Sequence, residues 1–113
     1  MHELSLAGSI LRIVETSARD EAFTRVRSLR LAVPVLAGVE VDALRFALQS
    51  IAPRTLLAGA ELVFEEPASR ARCLDCGQDI LVDAHGAACP ACGSAAWQLH
   101  DDAGLQVVDL LVE

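Results

Sequence analysis

Cys73-Leu74-Asp75-Cys76-Gly77 and Cys89-Pro90-Ala91-Cys92-Gly93 repeat one pattern, with twelve residues between Cys76 and Cys89, and together they hold all four cysteines of the chain. Two residues between cysteines let a tight turn aim both sulfurs at one point. A second such turn alongside completes a tetrahedral four-sulfur site. A glycine follows each pair, where positive φ curls the amides back towards the sulfurs, and Pro90 stiffens the second turn. Four thiolates leave no open coordination position, so the site reads as structural. Zinc is its natural occupant, and iron in a rubredoxin-like arrangement is the chemical rival. Disulfides suit small secreted domains, but Met1-His2-Glu3 has no basic leader character and no apolar run approaches membrane-spanning length. The segment between the knuckles is short and polar, so it is expected to have little core of its own and to fold with its metal.

The rest of the composition narrows the function. The chain has 113 residues, which allows one ordinary domain or a small domain plus a metal module. All nine basic residues are Arg, and the net charge is −7 before any thiolate is counted. A nucleic-acid surface needs basic residues to displace counterions, and an anionic membrane needs them to attract the protein, so both are disfavoured. An acidic protein with a thiolate site fits a reducing cytoplasm.

Outward from the knuckles the pattern becomes regular. Leu4, Ala7, Leu11, Val14 and Ala18 recur at helical steps, widened by Leu6, Ile10 and Ile13, and predict a helix starting almost at the N-terminus. Thr24 to Val33 predicts a strand, with Leu29, Leu31 and Val33 on one face and Arg25, Arg27 and Arg30 divided between faces. Pro34 to Gly38 reads as a turn. Glu40 to Ala52 reads as a second helix on Val41, Leu44, Leu48 and Ile51, stopped by Pro53. Leu62 and Phe64 mark a second strand, and Leu105 to Val112 a last one with Val108, Leu110 and Val112 on one side. That strand needs partners that a metal module cannot supply. The module therefore reads as an insertion before the last strand of one sheet. Trp97 is expected to give the module a small core, while His85 and His100 read as exposed loop residues beside a saturated site.

Met1-His2-Glu3 has two readings. The Met1 amine, the His2 backbone nitrogen and the imidazole can form fused chelate rings, with the Glu3 backbone nitrogen as a fourth donor, a set that suits square-planar Ni(II) or Cu(II). Alternatively His2 and Glu3 decorate a helix start, where Glu3 favours the macrodipole. On the residues alone a zinc-ribbon interaction module and a rubredoxin-like electron carrier stay open. No nucleophile–base pair or phosphate-binding glycine pattern points to an enzyme.

Met1-His2-Glu3-Leu4-Ser5-Leu6-Ala7, Leu36-Ala37-Gly38-Val39-Glu40 with Ala43-Leu44-Arg45-Phe46-Ala47, and Leu57-Ala58-Gly59-Ala60-Glu61-Leu62, followed by the two knuckles, resemble the HypA/HybF family of hydrogenase nickel-incorporation proteins over essentially the whole chain. The resemblance implies an α+β fold, a small three-stranded sheet with two helices plus an inserted four-cysteine zinc ribbon. The nickel domain is expected at 1–67 with 103–113 and the ribbon at 68–102. It further implies a cytoplasmic metallochaperone, not an enzyme, holding Ni(II) as transient cargo at His2 with Met1 and Glu3, and Glu40 as an accessory candidate. Cys73, Cys76, Cys89 and Cys92 become ligands of a structural zinc. The implied partners are the GTPase HypB and the precursor of the [NiFe]-hydrogenase large subunit, with the chain as monomer or homodimer, no nucleic acid and no membrane insertion. The family's Gly-Glu-Leu-Ser-Gly-Val-like turn is replaced here by Pro34-Val35-Leu36-Ala37-Gly38-Val39, which removes a backbone donor and a carboxylate.

Overall fold

The computed structural model describes residues 2–113. Its elements run α1 (Glu3–Glu21), β1 (Val26–Ala32), α2 (Val41–Ile51), β2 (Glu61–Glu65), β3 (Ser69–Cys73), β4 (Asp79–Val82), β5 (Trp97–Leu99) and β6 (Gln106–Val112). The chain divides into two compact units. One comprises the chain up to Leu31, Val39–Phe64 and Val107–Glu113; the other comprises Ala32–Gly38 and Glu65–Gln106.

In the first unit the sheet order is β2-β1-β6. The Val26 amide donates to the Leu56 carbonyl ahead of β2, as expected when β1-α2-β2 forms a crossover between parallel strands. Arg25 and Glu113 exchange both backbone bonds, which sets β6 antiparallel to β1. Helices α1 and α2 pack together. The core is Ala7, Ile10, Val14, Val26, Leu29, Leu31, Leu44, Ala47, Leu48 and Leu57, all buried, and each large aliphatic side chain among them contributes about 1.5–3 kcal/mol. In β1 the buried set steps three residues from Val26 to Leu29 and then alternates.

Two expectations about this unit need correcting. The helical stripe holds at Ala7, Ile10 and Val14, but Leu4 and Ile13 are exposed and Glu3 is buried in their stead. On β6, Val108 and Val112 remain 45% and 43% exposed. Their strand lies at the sheet edge, where a side chain has neighbours on one flank only.

The second unit contains a sheet that the residue pattern did not announce. Its order is β4-β3-β5, antiparallel throughout, with Ala71 opposite Ile80 on one side and Leu99 on the other. Ala71, Cys73, Ile80, Val82 and Cys89 form a small buried cluster, with Leu36, Ala87, Trp97 and Leu99 packed against it. The turn at Pro34 belongs here. Ala37 N–H closes it onto the Pro34 carbonyl, Val33 and Val35 donate to Glu65 and Pro67, and Leu36 N–H donates to the Ser69 hydroxyl. Pro34 sits between the two donating residues, on the alternate position, so its missing donor leaves that pairing intact.

Candidate metal centres

The four-cysteine centre is built by two copies of one local device. Cys73 ends β3, its carbonyl accepts from the Gly77 amide at 2.9 Å, and its sulfur accepts from the Cys76 amide at 3.4 Å. In the second turn Gly93 N–H donates to the Cys89 carbonyl at 2.8 Å, and Ala91 N–H donates to the Cys89 sulfur at 3.4 Å. Gly77 and Gly93 stand at φ of 76° and 78°, as the spacing predicted, because a side chain is disfavoured there. The turns are tied together by the Leu74 amide on the Ala96 carbonyl and by the Ser94 hydroxyl on the Asp75 carboxylate.

All four sulfurs lie within 4.8 Å of one another, with Cys73 to Cys92 at 3.6 Å and Cys76 to Cys89 at 3.8 Å, and the cysteines are free. A tetrahedron with metal–sulfur bonds of about 2.3 Å has edges of about 3.8 Å, so the donor set fits a four-coordinate metal ion. Cys73 and Cys89 are buried while Cys76 and Cys92 reach the surface. His85 and His100 stand outside the cluster. His85 stacks on Trp97, whose indole N–H donates to the Ala87 carbonyl, and His100 pairs with Asp79 at 2.8 Å.

The thiols do not ionise alike. The Cys76 amide, aided by the Asp75 amide, brings Cys73 down to about 7. At Cys92 the Ser94 amide acts downward, but the Cys73 sulfur and burial outweigh it and push the thiol up to about 12. Cys76 is also raised: the Gln78 amide acts downward, and burial with the Cys73 and Cys89 sulfurs outweighs it. A metal binds thiolate, so at pH 7–8, below the raised values, Cys76 and Cys92 must each surrender a proton. Metal uptake in that window is expected to release at least two protons, and the apparent affinity to rise by at least about two log units per pH unit. Below pH 7 Cys73 also becomes protonated and the dependence steepens. Calorimetry in buffers of different ionisation enthalpy measures the proton count; one proton or fewer would contradict this electrostatic picture.

The second constellation lies where two helices begin. His2 occupies the N-cap of α1 without a side-chain capping bond, and its side chain is 59% exposed. Glu3 is only 8% exposed. Its Oε2 accepts the backbone N–H of Glu40 at 3.2 Å and lies 3.6 Å from Nε2 of His2. Glu40 is itself the N-cap of α2, with its residue exposed. The Glu3 carboxylate therefore joins the start of α1 to the backbone at the start of α2, with His2 beside it. The helix ends carry partial positive charge, which opposes a cation; the Glu3 carboxylate offsets it. Met1 lies outside the described residues. The buried role of Glu3 was missed by the residue pattern, because no local signal links positions 3 and 40.

Comparison with known proteins adds lineage to this geometry. A family model described as hydrogenase/urease nickel incorporation, metallochaperone, hypA, matches residues 1–112. The hydrogenase maturation factor HypA of Polaromonas naphthalenivorans is 55% identical over 112 residues, covering 99% of this chain and 97% of that protein. The protein of the same description from Cupriavidus necator is 50% identical over 113 residues, covering 100% and 95%. The solution structure of the Ni metallochaperone HypA from Helicobacter pylori superposes with a TM-score of 0.78 at 17% identity, covering 99% of this chain and 97% of that one, a likeness of fold. No helix among the described residues is long and apolar enough to cross a membrane. With the family model matched over nearly its whole length and half or more of its residues shared with these two maturation factors, the chain belongs to the HypA family of nickel metallochaperones, which serve hydrogenase maturation and are not enzymes.

Proposed function

We propose that this chain binds Ni(II) at its N-terminus and delivers it, in the cytoplasm, to the precursor of the [NiFe]-hydrogenase large subunit. The observation that carries the reading is an exposed His2 at the start of α1, beside a Glu3 whose carboxylate is held by the Glu40 backbone, in a HypA-family chain. In this reading the Met1 amine, the His2 backbone nitrogen and imidazole, and the Glu3 backbone nitrogen hold the ion, a nitrogen-rich set suited to Ni(II). Glu40 is the accessory ligand. The Glu3 carboxylate, engaged with the Glu40 amide, positions the first residues of α1 rather than donating to the metal. An exposed His2 keeps the ion within reach of an exchange partner. The GTPase HypB is the proposed donor or acceptor in that exchange.

Cys73, Cys76, Cys89 and Cys92 are the proposed ligands of a structural zinc. Such an ion supplies cross-linking and folding energy, not reactivity, because four thiolates close its coordination. The amide-to-sulfur bonds from Cys76 and Ala91 hold two of those ligands in place.

Delivery is tested by loading the zinc-bound chain with radioactive nickel and adding purified large-subunit precursor, with and without HypB. Nickel is expected to move to the precursor from the wild-type chain and faster than from an equal concentration of free nickel salt buffered by a chelator. No transfer, or transfer no faster than from the buffered salt, would contradict delivery.

A further inference from the structure

The second unit, Ala32–Gly38 with Glu65–Gln106, holds seven aspartates and glutamates against two arginines and no lysine. Four thiolates around a divalent ion add to that excess. Both arginines, Arg70 and Arg72, stand in β3, the middle strand of the order β4-β3-β5. Along β3 Ser69, Ala71 and Cys73 are buried and the arginines exposed, so both guanidinium groups rise from one face of the sheet. Residues opposite one another across a ladder share a face. Leu81 stands opposite Arg70, while Asp79 and Gln98 stand on either side of Arg72. All three are exposed, Leu81 at 65%, so this face is open to solvent. The two arginines differ in what they hold. Arg70 pairs with Asp102. The Asp79 carboxylate beside Arg72 is taken by His100 at 2.8 Å, and Arg72 has no hydrogen bond or ion pair with any described residue. At the Arg70 end the face runs into a mostly apolar cavity of about 330 Å³, lined by Pro34, Ala68, Leu81 and Ala103, with Arg70 and Asp102 in its wall.

We infer that this face docks an extended segment of a partner protein that carries an apolar side chain and, two residues away, a carboxylate. The spacing and the charge both select that occupant. Arg70 and Arg72 are two residues apart in a strand, about 7 Å, and an extended peptide repeats its side chains on one face at the same interval. An apolar side chain seated in the cavity beside Leu81 therefore brings the side chain two positions away over Arg72. The free guanidinium there offers a two-pronged match to a carboxylate. Elsewhere the unit is acidic and repels such a segment, so the face fixes where it lands as well as what it is. A nucleic acid fits less well. It presents phosphate at every step, and one free guanidinium among seven carboxylates cannot balance it.

The test uses the full, zinc-loaded chain, with its amides followed by NMR as a capped peptide, Ser-Leu-Ser-Glu-Ser, is added to millimolar concentration. Saturable shifts are expected at Arg70, Arg72, Leu81 and Ala103 and not along α1. Replacing the peptide's Glu by Gln is expected to weaken binding roughly threefold, and added salt to erase that difference. Arg72→Gln is expected to weaken the Glu peptide by the same factor and to leave the Gln peptide unchanged, a coupling that general damage to the unit would not produce. Leu81→Ser is expected to weaken both peptides roughly fivefold. Absent or scattered shifts, equal affinity for the two peptides, or a short single-stranded RNA that shifts the same residues at lower concentration would each overturn the proposal. The comparison of the two peptides on the wild-type chain decides the matter even if a variant fails to fold.

Discussion

Cys73→Ser is expected to empty the four-sulfur cluster and unfold the unit around it, while α1, α2 and β1 keep their protection against hydrogen exchange. Two facts make the effect large. The buried cluster of that unit is Ala71, Cys73, Ile80, Val82 and Cys89, so two of its five members are also metal donors. A unit of this size has too little apolar burial to hold itself, and small units of this kind commonly depend on a metal. Cys73 also serves three neighbours at once: its amide donates to Gln78, its carbonyl accepts from Gly77 and its sulfur accepts from Cys76. A serine preserves the backbone bonds but offers a poor donor to a thiophilic ion. Zinc affinity is expected to fall by more than the ~10–100-fold that follows loss of a partner hydrogen-bonded to a metal ligand. Zinc release followed with a chromophoric chelator, beside residue-resolved exchange, checks both halves. Uniform loss of protection along the chain would contradict the division into two folding units.

His2→Ala is expected to remove the nickel site and leave the fold in place. The imidazole is the one side-chain nitrogen at the start of α1, and without it the chelate loses a ring and a nitrogen donor suited to nickel. The fold does not need it, since the side chain is exposed and makes no capping bond to the helix. The bond that does start α1 here, Leu6 N–H to the His2 carbonyl at 2.9 Å, is backbone and survives the change. Nickel affinity should drop below calorimetric detection with an unchanged circular-dichroism spectrum. Retained one-site binding in the variant would move the nickel elsewhere, and a loss of helix would show that His2 is structural.

Both helices and the three strands of the first unit were legible because their core residues are large and regularly spaced: Leu29 and Leu31 in one strand, Leu44 and Leu48 in one helix. The four-cysteine cluster was legible for a different reason, since its spacing is a geometric requirement and not a preference. What stayed hidden has physical causes. In β3 the inward positions are Ser69, Ala71 and Cys73, alternating with Arg70 and Arg72. Small inward residues give no hydrophobic alternation, so the strand reads as loop. Ile80 and Val82 fill the space those small residues leave, in a segment too short for periodicity to show. On α1 the bulky Leu4 and Ile13 suggested a stripe wider than the one that is buried. Small Ala7 lies at its centre, close to where Glu3 turns inward. The Glu3–Glu40 bond spans 37 positions and leaves no local trace. Membership of the HypA family was carried by the combination of Met1-His2-Glu3 with the late knuckles, two features that are individually ambiguous.

The most direct measurement is a calorimetric Ni(II) titration of the zinc-loaded chain starting at a free Met1, beside the same chain with residues added ahead of Met1. The extension converts the terminal amine into an amide and changes nothing else in the donor set. One site in the free chain that is strongly weakened in the extended one is the predicted result. Equal affinity in both would remove the amino terminus from the nickel site and contradict the account at its centre.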